Sequence, residues 1–386
     1  MKRIFTIAIC LIITASYSVS AQTFNQFYAD LVADVSGYNI LTDLTTFESF
    51  GVKEIGTTAL SNAENWITDR YTSLGYTDIQ LQPFTAGGQP TNNIIITKTG
   101  TEFPDTFLII DAHYDTINGP GVNDNGSGTV SLLEMARLLA DVDTRYSIKF
   151  IHFSGEEDGL LGSSFYVQNT VIPQNLDVLL VFNIDEVGGV SGENNDTITC
   201  ERDERSPNSN NAESAAMTTI LANSIELYTD LNTQIAEAFA SDYIPFENNG
   251  QIITGLYETN VTPFSHGPND TLANMDPDYL TEVVKGALGA TLHFADARET
   301  LGVTDGTLLA DSIVIYPNPS KGKVNLKTSF NTSYALQVVD VLGREVYTGK
   351  FDSENTTLDL SEMAKGTYLA IFKAEGATVT KKIVLK

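Results

Sequence analysis

Three nearly continuous apolar runs constrain the fold of this chain more than any other feature of its sequence. They cover residues 106–112, 147–154 and 177–185, and strands that read as unbroken apolar segments are typical of a parallel sheet buried on both faces. Segments of helical length and period lie between them, at 128–142 and 159–171. The pattern therefore predicts an α/β fold with a doubly wound, mostly parallel sheet flanked by helices.

Further segments extend this sheet. Apolar periodicity and composition predict helices at 24–74, 212–240 and 279–298 and short strands at 78–84 and 93–98. The stretch 191–213 is polar, so it is predicted to be a long excursion close to the functional site.

The carboxyl-terminal residues have a different texture. From residue 312 onward, short alternating strands separated by turn residues predict a small all-β sandwich over 312–386. The pattern is weak at 301–311, which is predicted to be a linker, so the large α/β domain is assigned to residues 22–300.

The first 21 residues have the pattern of a secretory signal peptide. Lys2 and Arg3 precede an apolar run at 4–15 and a small-residue stretch ending at Ala21, which predicts cleavage after Ala21. The run is shorter than the roughly 20 apolar residues that span a bilayer, so no transmembrane segment is predicted in the mature chain. Removal of the peptide leaves Cys200 as the one cysteine, which excludes an intramolecular disulfide.

The charge of the chain is strongly negative and unevenly distributed. The formal charge is −27, with +2 in residues 1–21 and +3 in residues 312–386, which leaves −32 for residues 22–311. A field of this sign repels nucleic acid and anionic lipid and favours cationic ligands, including peptides with a free amino terminus. Solubility alone is the alternative explanation.

Candidate metal ligands follow the predicted parallel strands at their carboxyl ends, the edge at which such sheets bind ligands. His113 follows the first strand, the pair Glu156-Glu157 the second and Asp185 the third, while Asp124 lies in the glycine-rich loop GPGVNDNGSG. Their nitrogen and carboxylate donors suit zinc. The loop lacks the ligand spacing of a helix-loop-helix calcium site and the glycine spacing of a dinucleotide site.

Residues next to these candidate ligands are predicted to have roles other than metal binding. Asp115 comes two residues after the histidine of DAHYD and is predicted to accept the proton of the second imidazole nitrogen. Two adjacent glutamates point in different directions, so one can bind metal while the other takes a proton from metal-activated water. His152 and His293 lie within apolar segments and are predicted to be structural.

Five motifs together resemble the co-catalytic zinc aminopeptidase family: DAHYD, GVNDNGSG, FSGEEDGLLGS, NIDEVGG and TPFSHGPNDT. The resemblance implies two zinc ions per chain. It places His113 and Asp185 on one ion, Glu157 and His266 on the other, and Asp124 as a bridge between both.

The same resemblance covers about residues 24–298 and implies a zinc exopeptidase fold. Glu156 takes the role of general base in it. Asp115, which is predicted from its spacing to fix the tautomer of His113, is the second predicted catalytic residue. The implied activity is that of a secreted metallo-aminopeptidase, which hydrolyses the first peptide bond of peptides or proteins with a free amino terminus.

The sequence departs from this family at two motifs. Ser265 stands where the late motif often has a tyrosine before its histidine, which makes Tyr257 and Tyr243 the alternatives for stabilising the oxyanion. In SDYIPF, similar to a segment that often reads SDH, Asp242 is predicted either to support the site or to cap a helix.

The tail resembles the carboxyl-terminal sorting domain of type IX secretion. The resemblance rests on IYPNPSKGKVNL, VVDVLGREVY, MAKGTYLAIF and the basic end KKIVLK, over about residues 312–386. It implies recognition by the type IX machinery, export across the inner and outer membranes, and an extracellular or cell-surface location. An accessory carbohydrate- or peptide-binding sandwich is the alternative.

Three other functions stay open at this point. A metallocarboxypeptidase needs a cationic clamp for the terminal carboxylate, and residues 22–311 contain ten Lys and Arg, with Arg202 and Arg205 nearest the predicted site. A glutaminyl cyclase of related fold keeps much of this ligand set with one zinc ion. An inactive surface binding module has no need of a general base such as Glu156.

Overall fold

The computed structural model of the protein describes residues 22–299, 313–328, 334–341, 343–351, 355–374 and 377–386. These residues form two compact units, one within 22–299 and one within 313–386. The predicted signal peptide at 1–21 and the predicted linker at 301–311 lie outside the described residues.

The α-helices found among the described residues lie in the first unit. They are α1 (Gln26–Ala33), α2 (Gly37–Ser49), α3 (Thr58–Ser73), α4 (Gly126–Leu139), α5 (Leu161–Tyr166), α6 (Ile172–Gln174), α7 (Asn211–Tyr228), α8 (Ile244–Asn248) and α9 (Pro277–Phe294). A π-helical turn, Val167–Val171, joins α5 to α6. The side chains of Asn25, Ser36 and Thr57 accept backbone N–H groups at the starts of α1, α2 and α3, which satisfies donors that have no partner within the helix.

The strands of this unit are β1 (Ile79–Ala86), β2 (Gln89–Lys98), β3 (Phe103–His113), β4 (Asp143–Thr144), β5 (Tyr146–Phe153), β6 (Asp177–Ile184), β7 (Thr197–Arg202), β8 (Asn232–Glu237), β9 (Ile253–Glu258) and β10 (Ala297–Arg298). Eight of them form one sheet in the order β1-β2-β5-β3-β6-β9-β7-β8, and β4 pairs with β10. Strands β5, β3, β6 and β9 are parallel, β1 and β2 form an antiparallel edge, and β7 runs antiparallel to β9. The predicted mostly parallel sheet is confirmed.

Helices cover both faces of the sheet because successive side chains of its central strands point to opposite sides. On β5, Ile148 and Phe150 join the apolar cluster that includes residues of α1 to α4, α7 and α9. Ile151 and Phe153 of the same strand join the cluster formed with residues of α5, the π-helical turn and α8. The carboxyl ends of the parallel strands are thereby left at one edge of a three-layer core.

Two predictions about the second half of this unit were wrong. Residues 197–202, assigned to a polar excursion, form the buried strand β7, in which Ile198 and Cys200 face the core. The helix predicted at 212–240 ends at Tyr228, and β8 follows it as an edge strand paired in parallel with β7. Neither strand contains a long apolar run, because β7 is short and β8 is largely exposed. The pairing of these strands therefore cannot be predicted from the local sequence pattern.

The second unit is built of antiparallel strands: β11 (Ile313–Tyr316), β12 (Lys323–Thr328), β13 (Tyr334–Asp340), β14 (Glu345–Phe351), β15 (Asn355–Asp359), β16 (Gly366–Ala374) and β17 (Ala377–Leu385). They form a three-stranded sheet, β11-β12-β15, and a four-stranded sheet, β14-β13-β16-β17. Leu326 of the first sheet and Val338 and Phe372 of the second share one apolar cluster. Among the residues that the structure describes, no helix has the length and apolar character needed to span a membrane.

Candidate metal centre

The predicted ligands lie together at the carboxyl-terminal edge of the sheet. His113 is the last residue of β3, Asp185 follows β6 directly, and Glu157 comes four residues after β5 ends. Asp124 lies two residues before α4, and His266 comes from the loop after β9. Five chain segments therefore bring one side chain each to the same place, as expected where parallel strands end side by side.

These five side chains form two groups that share one carboxylate. In the first group, His113 Nε2 lies 3.3 Å from Asp124 Oδ1 and 3.4 Å from Asp185 Oδ1. In the second, His266 Nε2 lies 3.1 Å from Asp124 Oδ2 and 3.0 Å from Glu157 Oε2. Asp124 thus presents a different oxygen to each group.

The spacing of these atoms matches a tetrahedral metal site. Ligand atoms bound to one zinc ion at 2.0–2.2 Å with tetrahedral angles are about 3.4 Å apart. Three of the buried ligand atoms, His113 Nε2, Asp124 Oδ2 and Asp185 Oδ1, have no hydrogen-bond partner among the described residues. Buried polar atoms without a partner are costly, so their convergence supports a cation held between them. The residues present therefore fit zinc.

The orientation of His113 leaves a lone pair facing this centre. Its Nδ1 lies 3.1 Å from the backbone carbonyl oxygen of Asp115 and donates to it, which makes Nε2 the unprotonated nitrogen of the neutral ring. The predicted acceptor was the Asp115 carboxylate, but Asp115 Oδ1 is 3.7 Å away. That carboxylate instead accepts the backbone N–H groups of Glu156 and Glu157, both at 3.3 Å. Asp115 is therefore placed to orient the glutamate pair.

Several residues that sequence reasoning missed hold the ligands in place. Ser241 Oγ donates to Asp185 Oδ2 at 2.6 Å, which leaves the other carboxylate oxygen directed at His113. Asp270 accepts the backbone N–H groups of Asn123 and Asp124 through its two carboxylate oxygens, at 2.8 and 3.0 Å. Both residues lie within quoted motifs, Ser241 in SDYIPF and Asp270 in TPFSHGPNDT, but their roles are not evident from the sequence, because only the folded chain brings their side chains to the ligands.

The glycine-rich loop is also fixed at both ends. Asn125 Oδ1 accepts the N–H of Gly128 at the start of α4, and Asn125 Nδ2 donates to the carbonyl oxygen of Ile184 at 2.9 Å. Asn123 Nδ2 donates to Glu258 Oε2 at 3.0 Å. The loop that carries Asp124 is thereby linked to the ends of β6 and β9.

Buried charge at the site shifts the pKa values of its histidines and of the shared aspartate. Burial alone would raise the pKa of Asp124, but its close contacts with His113 and His266 hold it at about 2. Burial alone would lower the pKa of His113, but Asp185 and other carboxylates raise it well above its usual value. The close contact with Asp124, with the nearby charges of Glu157 and Glu186, raises the pKa of His266 to about 9. A bound dication replaces these protons, because metal ligation requires neutral imidazole.

The two adjacent glutamates differ in their surroundings. Burial raises the pKa of both Glu156 and Glu157 to about 9, and neighbouring carboxylates add to the rise. Glu157 contacts His266, whereas no hydrogen bond or ion pair engages the Glu156 carboxylate anywhere in the described part of the chain. Glu156 is half-buried, so its carboxylate is available to a substrate or to water.

The side chains considered for the oxyanion are occupied in different ways. Tyr243 is buried, and its hydroxyl oxygen accepts the N–H of Phe239 at 2.8 Å. Tyr257 is half-buried and donates to Glu186 Oε1 at 3.3 Å, while Ser265 donates to the other oxygen of the same carboxylate. Glu186 lies in the motif NIDEVGG, but no role was predicted for it from the sequence.

Asp242 is buried near His113 and Asp115 and does not cap a helix. Helix α8 has Tyr243 at its N-cap position and no side-chain cap, so the capping interpretation of Asp242 was wrong.

The predictions for the other two histidines are confirmed. His152 is buried with its Nε2 3.0 Å from Tyr71 Oη, and His293 lies 3.1 Å from Tyr228 Oη.

The structure and the comparisons agree on the class of protein. An α/β/α sheet with paired histidine–carboxylate groups at its strand ends has the architecture of the zinc exopeptidases. The chain belongs to peptidase family M28, whose model matches residues 93–291. Residues 314–386 match the model of the secretion system C-terminal sorting domain.

Individual relatives agree with this assignment. Aminopeptidase YwaD of Bacillus subtilis is 33% identical over 212 residues, which cover 53% of this chain and 44% of that protein. The chain spans less than half the length of the first curated relatives it matches. Among solved structures, LapA aminopeptidase of Legionella pneumophila superposes with a TM-score of 0.63 at 21% identity, over 72% of this chain and 79% of that one. A glutaminyl cyclase of Macrostomum lignano gives 0.64 at 14% identity, over 72% and 96%. These likenesses show the shared fold.

Proposed function

We propose that this protein is an exported metallo-aminopeptidase with two zinc ions, which hydrolyses the first peptide bond of peptides that have a free amino terminus. The observation that carries the proposal is the shared carboxylate of Asp124, which faces His113 with one oxygen and His266 with the other. Family membership and relatives that are named aminopeptidases support the same function.

Each ligand has a role in this proposal. His113, Asp124 and Asp185 would hold one zinc ion, and Asp124, Glu157 and His266 would hold the other. Zinc, when bound, supplies Lewis-acid polarisation of the peptide carbonyl and lowers the pKa of water to near neutrality. The name "probable zinc metalloprotease" of a fungal relative is consistent with that metal.

Glu156 acts as the general base and then as the general acid. Its carboxylate takes a proton from the attacking water and delivers it to the nitrogen of the leaving amine. Asp115 keeps it in place by accepting the backbone N–H groups of both glutamates. No covalent intermediate is needed, since water is the nucleophile.

The surroundings of the site suit an amino terminus better than a carboxyl terminus. Residues 22–311 carry a formal charge of −32, which attracts an ammonium group and repels a carboxylate. The two arginines considered as a clamp are engaged elsewhere: Arg202 donates to Glu204 at 2.6 Å, and Arg205 donates to the Phe239 carbonyl. This arrangement disfavours a carboxypeptidase.

The second unit is the reason for proposing that the protein is exported. The sorting-domain match at 314–386 supports recognition by the type IX machinery and a surface or extracellular location. Peptides available outside the cell are then the substrates.

One assay tests the function. The zinc-supplemented protein is given a peptide with a free and with an acetylated amino terminus, alongside Glu156→Gln and, as a charge-matched control, Glu213→Gln on the exposed start of α7. We expect release of the first residue from the free peptide only. Glu156→Gln should lower the rate by about 10²–10⁴-fold, the usual contribution of a general base, and Glu213→Gln should leave it unchanged.

Equal cleavage of both peptides, or release from the carboxyl end, contradicts the proposal. Cyclisation of an amino-terminal glutamine without hydrolysis would instead indicate the cyclase activity of the structural neighbour. Binding of peptide without any turnover would indicate a binding module.

A further inference from the structure

Glu186 is an acidic residue at the metal centre that neither metal group uses. It directly follows Asp185, and its backbone has a φ of +44°, in the left-handed region that a non-glycine residue seldom adopts. His266 on the other side of the site has a φ of +55°. Unusual backbone conformations of this kind persist where the surrounding structure imposes them and are frequent at functional sites.

Two hydroxyl groups fix the direction of the Glu186 carboxylate. Tyr257 Oη, from β9, donates to Oε1 at 3.3 Å, and Ser265 Oγ donates to Oε2. Because Ser265 directly precedes His266, the carboxylate spans the gap between the Asp185 side and the His266 side of the centre.

The Glu186 carboxylate has no positively charged partner within the described residues of the chain. None of the ion pairs found there includes it, and it belongs to neither metal-ligating group. Glu186 is half-buried, so it is partly accessible to solvent. A carboxylate held in this way is prepared to receive a cation from outside the protein.

We propose that Glu186 determines specificity by binding the cationic side chain of an amino-terminal lysine or arginine; this rests on the proposed aminopeptidase function. The α-amino group of a substrate is adjacent to the reacting carbonyl and must lie at the metal ligands. Glu186 is displaced from those ligands and is held by Tyr257 and Ser265, so it faces a group further along the side chain of the first residue.

The test compares lysine with norleucine, which has a similar aliphatic chain without the ammonium group. The values of kcat/KM for the aminomethylcoumarin amides of both residues are measured for the zinc-loaded full chain, for Glu186→Gln and for Glu213→Gln. Glutamine keeps an oxygen that accepts from Ser265 or Tyr257, so the exchange removes mainly the charge. We expect at least a tenfold preference for lysine in the parent protein, lost in Glu186→Gln and kept in Glu213→Gln.

Binding of the free amino acids gives a readout that is independent of turnover. Calorimetry on the same three proteins should show L-lysine binding at least tenfold more tightly than L-norleucine, except in Glu186→Gln. A lysine-to-norleucine ratio that is the same in the parent protein and in Glu186→Gln would overturn the inference. An equal fall for both substrates would also overturn it and would make Glu186 a support of the site.

If the proposed aminopeptidase function is wrong, the hydrolysis assay gives a different result from the one that would overturn the role of Glu186. If the parent protein hydrolyses neither amide, the aminopeptidase proposal is contradicted. The calorimetric difference between lysine and norleucine then decides the role of Glu186 by itself.

Discussion

His113 and His152 lie on neighbouring strands, and both are fully buried, yet only one of them faces the metal centre. In the register of β3 and β5, His113 is opposite Phe153, and His152 is opposite Ala112. A shift of one position along a strand reverses the face of the sheet. His152 consequently points into the core beside Tyr71, whereas His113 ends its strand at the functional edge.

The burial of His152 predicts an acid-sensitive contribution to stability. Burial lowers the pKa of His152 to about 3, below the value of about 6.5 for the unfolded chain. The unfolded state therefore binds more protons between these pH values, and stability is lost as pH falls below 6.5. Between pH 7 and pH 5 the loss from this group is about 2 kcal/mol.

Urea unfolding of the metal-free protein measures this contribution. The free energy of unfolding of the parent protein should fall by about 2 kcal/mol more than that of His152→Gln between pH 7 and pH 5. Glutamine keeps a polar group for the Tyr71 hydroxyl without the titration. Equal falls for the two proteins would show that His152 is not held neutral by burial.

At the level of single residues, the sequence predicts those whose spacing follows the strands. His113, Glu156 and Asp185 each come at or just after the end of a buried apolar run, so the α/β pattern alone brings them together. Ser241 and Asp270 come from distant loops, and their contacts with Asp185 and with the glycine-rich loop exist only after folding.

At the level of elements, the glycine-rich loop before α4 is the part on which the site depends most. Lys53 is fully buried, and its ammonium group donates to the carbonyl oxygens of Phe47, Gly51 and Pro120 at 3.3, 2.8 and 2.6 Å. Burial lowers the pKa of Lys53 to about 7. These bonds tie the end of α2 to the start of the loop, while Asp270 holds its far end.

Asp270 is the residue whose change should affect this loop most specifically. Asp270→Asn replaces one of two acceptors by an N–H donor, so either Asn123 or Asp124 loses its backbone partner. We expect zinc affinity to fall by about 10–100-fold, the range typical of residues that position metal ligands. Competition with a chelator measures the affinity, and Asp230→Asn, on an exposed loop, is the matched control.

Thermal unfolding of the same metal-free proteins separates positioning from loss of structure. If Asp270→Asn keeps a cooperative transition and also the zinc affinity of the parent protein, the hydrogen bonds to Asn123 and Asp124 do not position the loop.

The helices and strands with a strong apolar pattern could be predicted from the sequence. Strands that form only because they pair with a neighbouring strand could not. The runs that became β3, β5 and β6 are buried on both faces, so their sequences are unambiguous. Strand β8 has exposed residues at most positions and contains residues that also suit a helix, and only its pairing with β7 makes it a strand.

At the scale of the whole molecule, the two parts of the chain carry net charges of opposite sign. The negative charge belongs to residues 22–311, whereas residues 312–386 carry +3, so the part with the metal centre and the sorting part differ in sign. A strongly acidic unit attracts cations over distances beyond direct contact. That property is consistent with the binding of zinc and of positively charged amino termini at one centre.

The shared carboxylate of Asp124 is the centre of this account, and zinc-edge anomalous diffraction from crystals of the zinc-loaded protein tests it most directly. We predict two peaks about 3.5–4 Å apart, the spacing of paired catalytic metals. One should lie among His113, Asp124 and Asp185, and the other among Asp124, Glu157 and His266. A single peak, or two peaks that do not share Asp124, would contradict the account.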